Sequence, residues 1–458
     1  MSSTIEYAPI AAIILAAGEG TRMKSAIRKP LHKVGGLSLL AHVIRAAETT
    51  SPRALTVVTA AEADPVAKAA AAAHPGAGAA VQSERLGTAH AVLAARDALA
   101  AHQGDAVVLY ADTPFIRAET LREMRARRAA GVDIVILGFR AATPGGYGRL
   151  VTEGDDLLAI VEAKDASPEE LKIDLCNSGV VMADAGVLLS LLEQVDNRNA
   201  KGEYYLTDIV AIGRARGLRA AVVECDEEET LGANSRVDLA AAEAAFQARA
   251  RRAAMEGGAT LIAPETVFFS HDTRLGRDVV VEPHVVFGPG VRVADAVVIH
   301  AFCHLEGTVL EQGAEIGPFA RLRPGAVIGE GAKIGDFVEV KNAVFGPGAK
   351  ANHLAYIGDA AVGAGANVGA GVITCNYDGV LKHRTEIGEG AFIGTNSSLV
   401  APVAIGAGAY VASGTVLTQD VPPDALAIAR APQQQKLNFV ARFRAKLQAR
   451  KAAAKERS

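Results

Sequence analysis

At 458 residues, half of them hydrophobic and 21% charged, the chain has the length of two or three soluble domains and an ordinary globular composition. Lys+Arg 47 against Asp+Glu 51 gives a formal net charge of −4, which makes no case for nucleic acid or a membrane surface as partner. No apolar run reaches the roughly 18 residues of a spanning helix, MSSTIEYAPI lacks the regions of an export signal, and Cys176, Cys225, Cys303 and Cys375 are scattered like free thiols of a reducing cytoplasm.

The first stretch alternates strand-like and helix-like segments. AAIILAA (11–17), ALTVVTA (54–60), DAVVLYAD (105–112) and VDIVILGF (132–139) have strand length, while LSLLAHVIRAAE (37–48) and ETLREMRARRAA (119–130) have helical character. Such alternation predicts an α/β domain on a parallel sheet, here residues 1–234, with ligands beyond the carboxyl ends of the strands. Leu15-Ala16-Ala17-Gly18-Glu19-Gly20-Thr21-Arg22-Met23 follows the first strand directly. Its glycines let the backbone approach a phosphate, the small alanines leave room for a flat base, and Arg22 and Lys29 offer positive charge. Met23 replaces the third glycine of a dinucleotide fingerprint, and no glycine precedes Lys24 as a Walker loop requires.

Residues 235–258 read as a connector helix, with Ser235 and Asp238 as a capping box and Gly257-Gly258 as its end. After it the period changes to six. Leu275, Val281, Phe287, Val293, Ile299 and Leu305 form one aliphatic run, Leu310, Ile316, Leu322, Ile328, Ile334 and Val340 a second, and Ile387, Ile393, Leu399, Ile405, Val411 and Leu417 a third. A period of six fits neither a helix nor a lone strand and predicts a parallel β-helix, residues 259–432, with the aliphatic side chains stacked inside. The register fails near 346–356 and 375–386, where loops are expected. His353 falls in the first break, with Tyr356 nearby, and Asn376-Tyr377 opens the second with Lys382. Arg321, Arg323 and Lys341 project from neighbouring coils and suit a phosphate. Residues 433–458 form a basic tail whose Phe439, Phe443 and Leu447 have helical spacing.

The first motif, with Lys29-Pro30, resembles the signature of the sugar-1-phosphate nucleotidyltransferases, and further segments come in that family's order: Gln82 with Gly87-Thr88, Tyr110-Ala111-Asp112, Tyr147-Gly148-Arg149, Glu162, Asn177-Ser178-Gly179, Glu203 to Asp208, and Asn234. The resemblance implies a Rossmann-like nucleotidyltransferase domain. It places Mg²⁺ on Asp112 and Asn234, Arg22 and Lys29 on the departing pyrophosphate, and UTP and its sugar product against Leu15, Ala16, Ala17, Gly18, Lys29, Gln82, Gly87, Thr88, Gly148, Glu162, Asn177 and Asn234.

RLRPG (321–325), EVKN (339–342), NHLAYIGDA (352–360), GAGANVGAG (363–371) and TCNYDG (374–379) are similar to the acetyltransferase half of a family of bifunctional enzymes. These acetylate glucosamine 1-phosphate from acetyl-CoA and then uridylylate the product, making UDP-N-acetylglucosamine for peptidoglycan and lipopolysaccharide. The resemblance implies a left-handed β-helix, a cytoplasmic homotrimer, and acetyl-CoA between adjacent prisms. It gives His353 the role of general base, and Arg323, Lys341, Tyr356 and Asn367 the sugar phosphate. Ala370, Asn376, Tyr377, Thr395, Ser413 and Arg430 match acetyl-CoA positions; Lys382 stands with either group. Thr395 and Ser413 depart from the Ser and Ala expected there, which implies altered contacts to the cofactor. Two other readings use the same residues less fully: a one-reaction nucleotidyltransferase with a regulatory prism, and an assembly subunit whose prism binds partners.

Overall fold

The structure, a computed structural model, describes residues 7–61, 64–199 and 201–455. Met1–Glu6, part of the stretch read for an export signal, lies outside the described residues, as do the last three positions of the tail. Two compact units result: one runs through Ala253 and takes in Phe268–Asp272, and the other comprises Ala254–Val267 and the chain from Thr273 onward.

The first unit is built on strands β1 (Ile10–Leu15), β2 (Ala54–Thr59), β3 (Gly78–Val81), β4 (Asp105–Tyr110), β5 (Ile134–Arg140), β6 (Leu175–Asp184) and β7 (Ala220–Cys225), in the order β7-β5-β6-β4-β1-β2-β3. All six residues of β1 are buried, as a near-continuous aliphatic run covered on both faces must be. Ile13, Leu15 and Val108 pack into one apolar layer, and Ala12, Ile14, Val107 and Leu109 into the other. The all-parallel expectation fails at β6, which runs antiparallel to both β4 and β5. The chain reaches β6 from β5 through a hairpin, Arg149–Glu153 with Asp156–Val161, and no crossover helix intervenes to restore direction.

Strand β1 pairs in parallel with β2 on one side and β4 on the other, and Leu15 stands opposite Tyr110 at the carboxyl ends. The strand order reverses about β1, and in open sheets that crevice is where ligands bind. The helix Arg236–Glu256 begins with its expected cap: the Asp238 carboxylate accepts from the Asn234 and Ser235 amides at 3.1 and 2.9 Å, and Ser235 Oγ accepts from the Asp238 amide at 3.2 Å.

The second unit is a stack of short parallel strands. Phe287, Leu305, Leu322, Val340 and Ile357 occupy equivalent places on successive coils, and all are buried. Every residue of the three aliphatic runs is buried except Leu275, which is half-buried. Four free cysteines are present; burial pushes the Cys303 thiol up to about 11, so it serves as an inert core group.

Only one of the two expected breaks is a loop. At 346–356 the coil continues through the strand Lys350–His353, and the hexad slips because pairing there joins residues 17 apart, Asp336 with His353, where Leu322 pairs Val340 at 18. The second break is real: Thr374 pairs with Leu399, 25 residues on, and the extra residues form a hairpin closed by Asp378. Its carboxylate accepts from the Val380 and Leu381 amides at 2.8 and 2.7 Å and meets His383 Nε2 at 2.7 Å. The tail forms the helix Phe439–Lys455, none of whose side chains is buried.

Candidate active sites

The first site opens where β1 and β4 end. Leu15, Ala16, Ala17, Gly18, Lys29, Gln82, Gly87, Thr88 and Asp112 line one cavity of about 310 Å³. Gly20 has φ 64°, and a Cβ there would meet Lys29 Cβ at 2.6 Å, so the glycine lets the loop close over Lys29. The Lys29 ammonium hydrogen-bonds the Asp112 carboxylate and donates to Asn234 Oδ1 at 3.0 Å. The Ala233 amide donates to the Asp112 carbonyl at 3.0 Å, which fixes the distance between the two oxygen donors. A carboxylate and an amide oxygen suit a hard cation, and Lys29 already holds positive charge between them. Among the described residues no group of three or more His, Cys, Asp or Glu could hold a metal, so a cation at Asp112 and Asn234 would complete its shell with substrate oxygens and water, as Mg²⁺ commonly does.

Gln82 is buried, and its Nε2 donates to the Gly87 carbonyl at 3.1 Å. The Glu203–Asp208 segment clasps this turn: the Tyr204 amide donates to the Leu86 carbonyl at 2.7 Å, the Ala89 amide to the Tyr204 carbonyl at 3.0 Å, and the Leu206 amide to Thr88 Oγ1 at 3.0 Å. Gly87 has φ 119° and lies so close to Tyr204 that a Cβ would reach its carbonyl oxygen at 2.4 Å. Thr88 and Tyr110 also border a second cavity of about 100 Å³, lined by Glu162, Asn177 and Gly179. Gly148 is tied to it, because its carbonyl accepts from the Asn177 amide at 2.8 Å. Burial, then the Asp112 and Glu162 carboxylates, raise the Tyr110 phenol, which remains a protonated partner of Thr88.

Arg22 stands apart: it is exposed and lines neither cavity. Arg85 lines the first cavity and was not foreseen; it pairs with Glu19 of the glycine loop. Its only trace in the sequence is a charge between Gln82 and Gly87.

In the prism, His353, Ala370, Thr395 and Ser413 form one column along a corner. The Gly371 amide donates to the His353 carbonyl at 3.3 Å, the Asn396 amide to that of Ala370 at 2.7 Å, and the Gly414 amide to that of Thr395 at 2.8 Å. Arg430 caps the column by donating to the Ser413 carbonyl. His353 is exposed and its Nδ1 bonds the carboxylate of Asp336, a residue that sequence reasoning missed.

Arg323, Lys341, Tyr356, Asn376 and Lys382 gather on the face beyond that corner. Arg323 reaches Glu339 at 2.7 Å. The Lys341 and Lys382 ammonium groups face each other, and that contact, with Arg323 behind, holds Lys341 below the usual lysine range. Like charges this close suit a phosphate between them. Gly358 lies under Tyr356 and Asn376; a Cβ there would meet Tyr356 Oη at 2.4 Å and Asn376 Nδ2 at 2.9 Å. Asn376 and Asn342 both donate to Asp359. Burial works against that carboxylate's charge, but the two amides and then the lysines outweigh it and lower its pKa. Tyr377 is exposed on the hairpin. Asn367 is not part of this cluster: it lies in the other sheet, paired with Lys350 and Phe392.

Residues 12–168 match the MobA-like NTP transferase domain family, and 307–342 and 384–419 match bacterial transferase hexapeptide repeats. A bifunctional protein GlmU of Azorhizobium caulinodans is 59% identical over 433 residues, covering 94% of this chain and 97% of that relative. The chain belongs to the GlmU family. A GlmU of Jannaschia sp. is 55% identical over 445 residues (97% of this chain, 98% of the relative), and one of Bradyrhizobium sp. 56% over 432 (94% and 96%). Family membership and the parallel coils make the second half a left-handed β-helix, and the chain a bifunctional enzyme with nucleotidyltransferase and acyltransferase halves. Among the described residues no helix is long and apolar enough to cross a membrane.

Proposed function

We propose that the two activities of UDP-N-acetylglucosamine synthesis divide between the domains at 1–234 and 259–432, joined by the helix at 235–258, with 433–458 as an appended tail. The prism acetylates glucosamine 1-phosphate, and the α/β domain joins the product to UMP from UTP. What carries this reading is the pairing in one chain of two oxygen donors, Asp112 and Asn234, bridged by Lys29, and a basic cluster beside an Asp-paired histidine.

In the prism, Arg323, Lys341 and Lys382 hold the sugar phosphate, with Tyr356 and Asn376 at its side. With Nδ1 bound to Asp336, His353 keeps Nε2 free to take a proton from the sugar amine. The amine nitrogen bonds to the thioester carbonyl carbon, the C–S bond breaks, and CoA leaves as the thiol. Acetyl-CoA follows the column Ala370, Thr395 and Ser413 to Arg430, flanked by the Tyr377 hairpin. Three copies assemble in this reading, and Asn367, which lies in the other sheet from Lys341 and Tyr356, completes a neighbour's site.

In the α/β domain, uracil lies against Gln82, Gly87 and Thr88, and the sugar against Gly148, Glu162 and Asn177. A phosphate oxygen of the sugar bonds to the α-phosphorus of UTP, and the bond to pyrophosphate breaks. The nucleophile is already anionic, so no general base is required, and positioning with charge neutralisation carries the step. Mg²⁺, when bound at Asp112 and Asn234, screens the repulsion between the anions. Lys29 steadies the triphosphate.

An assay with glucosamine 1-phosphate, acetyl-CoA, UTP and Mg²⁺, each left out in turn, tests this division. Without UTP, free thiol but no pyrophosphate is expected; without acetyl-CoA, neither, until N-acetylglucosamine 1-phosphate is supplied. Failure to release thiol from glucosamine 1-phosphate would leave the prism without its proposed reaction.

A further inference from the structure

The Gln82 carboxamide is fixed by two neighbours. Its Nε2 lies 3.1 Å from the Gly87 carbonyl oxygen and 3.3 Å from Nδ1 of His90. The Gly87 carbonyl can only accept, so the amide nitrogen must face it, and the orientation follows from chemistry. The second amide proton then points at His90 Nδ1, which accepts it when the imidazole carries its own proton on Nε2. With both protons committed, Oε1 is the atom Gln82 has left to offer the cavity it lines.

An oxygen fixed in this way selects among bases. Uracil presents N3–H, a donor, to such an acceptor. Cytosine presents a lone pair at N3 and would be repelled. A reader free to turn its amide over would lose that distinction, because the nitrogen could then donate to cytosine N3. Sites that recognise a group by a committed hydrogen-bonding partner discriminate far better than apolar ones.

We propose that His90 is a positioning residue for nucleotide choice: it holds the Gln82 amide in one orientation and so favours uracil over cytosine nucleotides. His90 does not itself line the cavity. It is half-buried on the short helix Thr88–Leu93, with the Tyr204 ring 6.5 Å away. Tyr204 belongs to the segment that clasps the Gly87 turn, so one set of contacts fixes both groups that hold Gln82. The inference rests on the reading that Gln82 faces the base.

The test compares kcat/KM for UTP with that for CTP in pyrophosphate release from N-acetylglucosamine 1-phosphate. His90→Ala and His90→Phe remove the acceptor, and the UTP:CTP ratio should fall on the order of fivefold, the worth of one ordinary hydrogen bond. The loss should appear in KM for UTP, with KM for the sugar phosphate unchanged. His90→Asn keeps an acceptor oxygen and should stay within about twofold of the wild-type ratio. The ratio is taken within one preparation, so a partly unfolded variant lowers both rates and leaves it alone. A variant inactive with both nucleotides is read through equilibrium binding of UTP and CTP, where the same fall is expected. An unchanged ratio in both His90→Ala and His90→Phe overturns the role of His90. A wild-type enzyme indifferent to UTP and CTP overturns instead the reading of Gln82 as the base-facing group.

Discussion

Asp336 and His353 occupy paired positions on successive coils of the prism, and the Asp336 carboxylate binds Nδ1 of the His353 ring. A carboxylate at that nitrogen keeps the proton on Nδ1, so the Nε2 lone pair faces outward. Asp336 would therefore act through His353, as a positioning residue for the proposed base.

Asp336→Asn should therefore lower kcat for acetyl transfer by roughly 10- to 100-fold, less than the ~10²–10⁴-fold loss expected when the proposed base is removed in His353→Ala. KM for glucosamine 1-phosphate should stay close to wild type, because the loss is expected through the orientation of His353 and not through sugar binding. Uridylyl transfer by the same preparation supplies the control. A normal kcat for acetyl transfer, or a loss confined to KM, would leave the carboxylate without a role in orienting the base.

Lys29 stands between Asp112 and Asn234, the residues proposed for the divalent cation, so cation and ammonium would compete there in the nucleotide-free enzyme. Lys29→Met should tighten Mn²⁺ binding to that form by about an order of magnitude, as expected where one cation excludes another at close range. The same substitution should depress uridylyl transfer strongly, since the triphosphate loses its lysine. Mn²⁺ titration followed by electron paramagnetic resonance separates the two effects. Equal Mn²⁺ affinities in the two proteins would show that the ammonium does not stand in the cation's place.

The contrast between Lys29 and Asp336 explains what the sequence could disclose. Gln82 and Asp112 sit just past strand ends, and Lys29 follows the glycine motif after β1, so local pattern and position in an α/β sheet coincide. His353 was recognisable from its local motif, but Asp336 was not. Its relation to His353 depends on a coil of 17 residues, and hexad counting predicts 18. The same one-residue shortening displaces the hexad at 346–356, while the coil itself continues through Lys350–His353. Asn367 illustrates a further limit: a motif gives a residue's neighbours along the chain but not which sheet it joins. The reversal of β6 was hidden for a related reason, since strand direction depends on the connection and the apolar pattern is the same either way.

His300 joins three coils of the prism. Its Nδ1 lies 3.0 Å from Glu282 and its Nε2 3.3 Å from Glu315, which also meets Lys333. Burial lowers the His300 pKa, but the two carboxylates outweigh it and raise the group above its ordinary 6.5. Bonding to His300 lowers Glu282 below its ordinary 4.5, and Lys333, then His300, lower Glu315. A raised histidine contributes stability that is complete below 6.5 and is lost as pH climbs through the folded value. Lowered glutamates contribute stability that is complete above 4.5 and is lost as pH drops through theirs. The cluster therefore acts fully between 4.5 and 6.5. The Tm of the prism transition should exceed that of His300→Gln by roughly 1–3 °C inside this window, the small effect expected of partly exposed pairs, and the two should converge as pH rises beyond it. The difference between the two proteins is the decisive quantity, since it cancels groups that titrate elsewhere in the chain. A gap that widened with rising pH would reverse the sign and refute the charged His300 bridge.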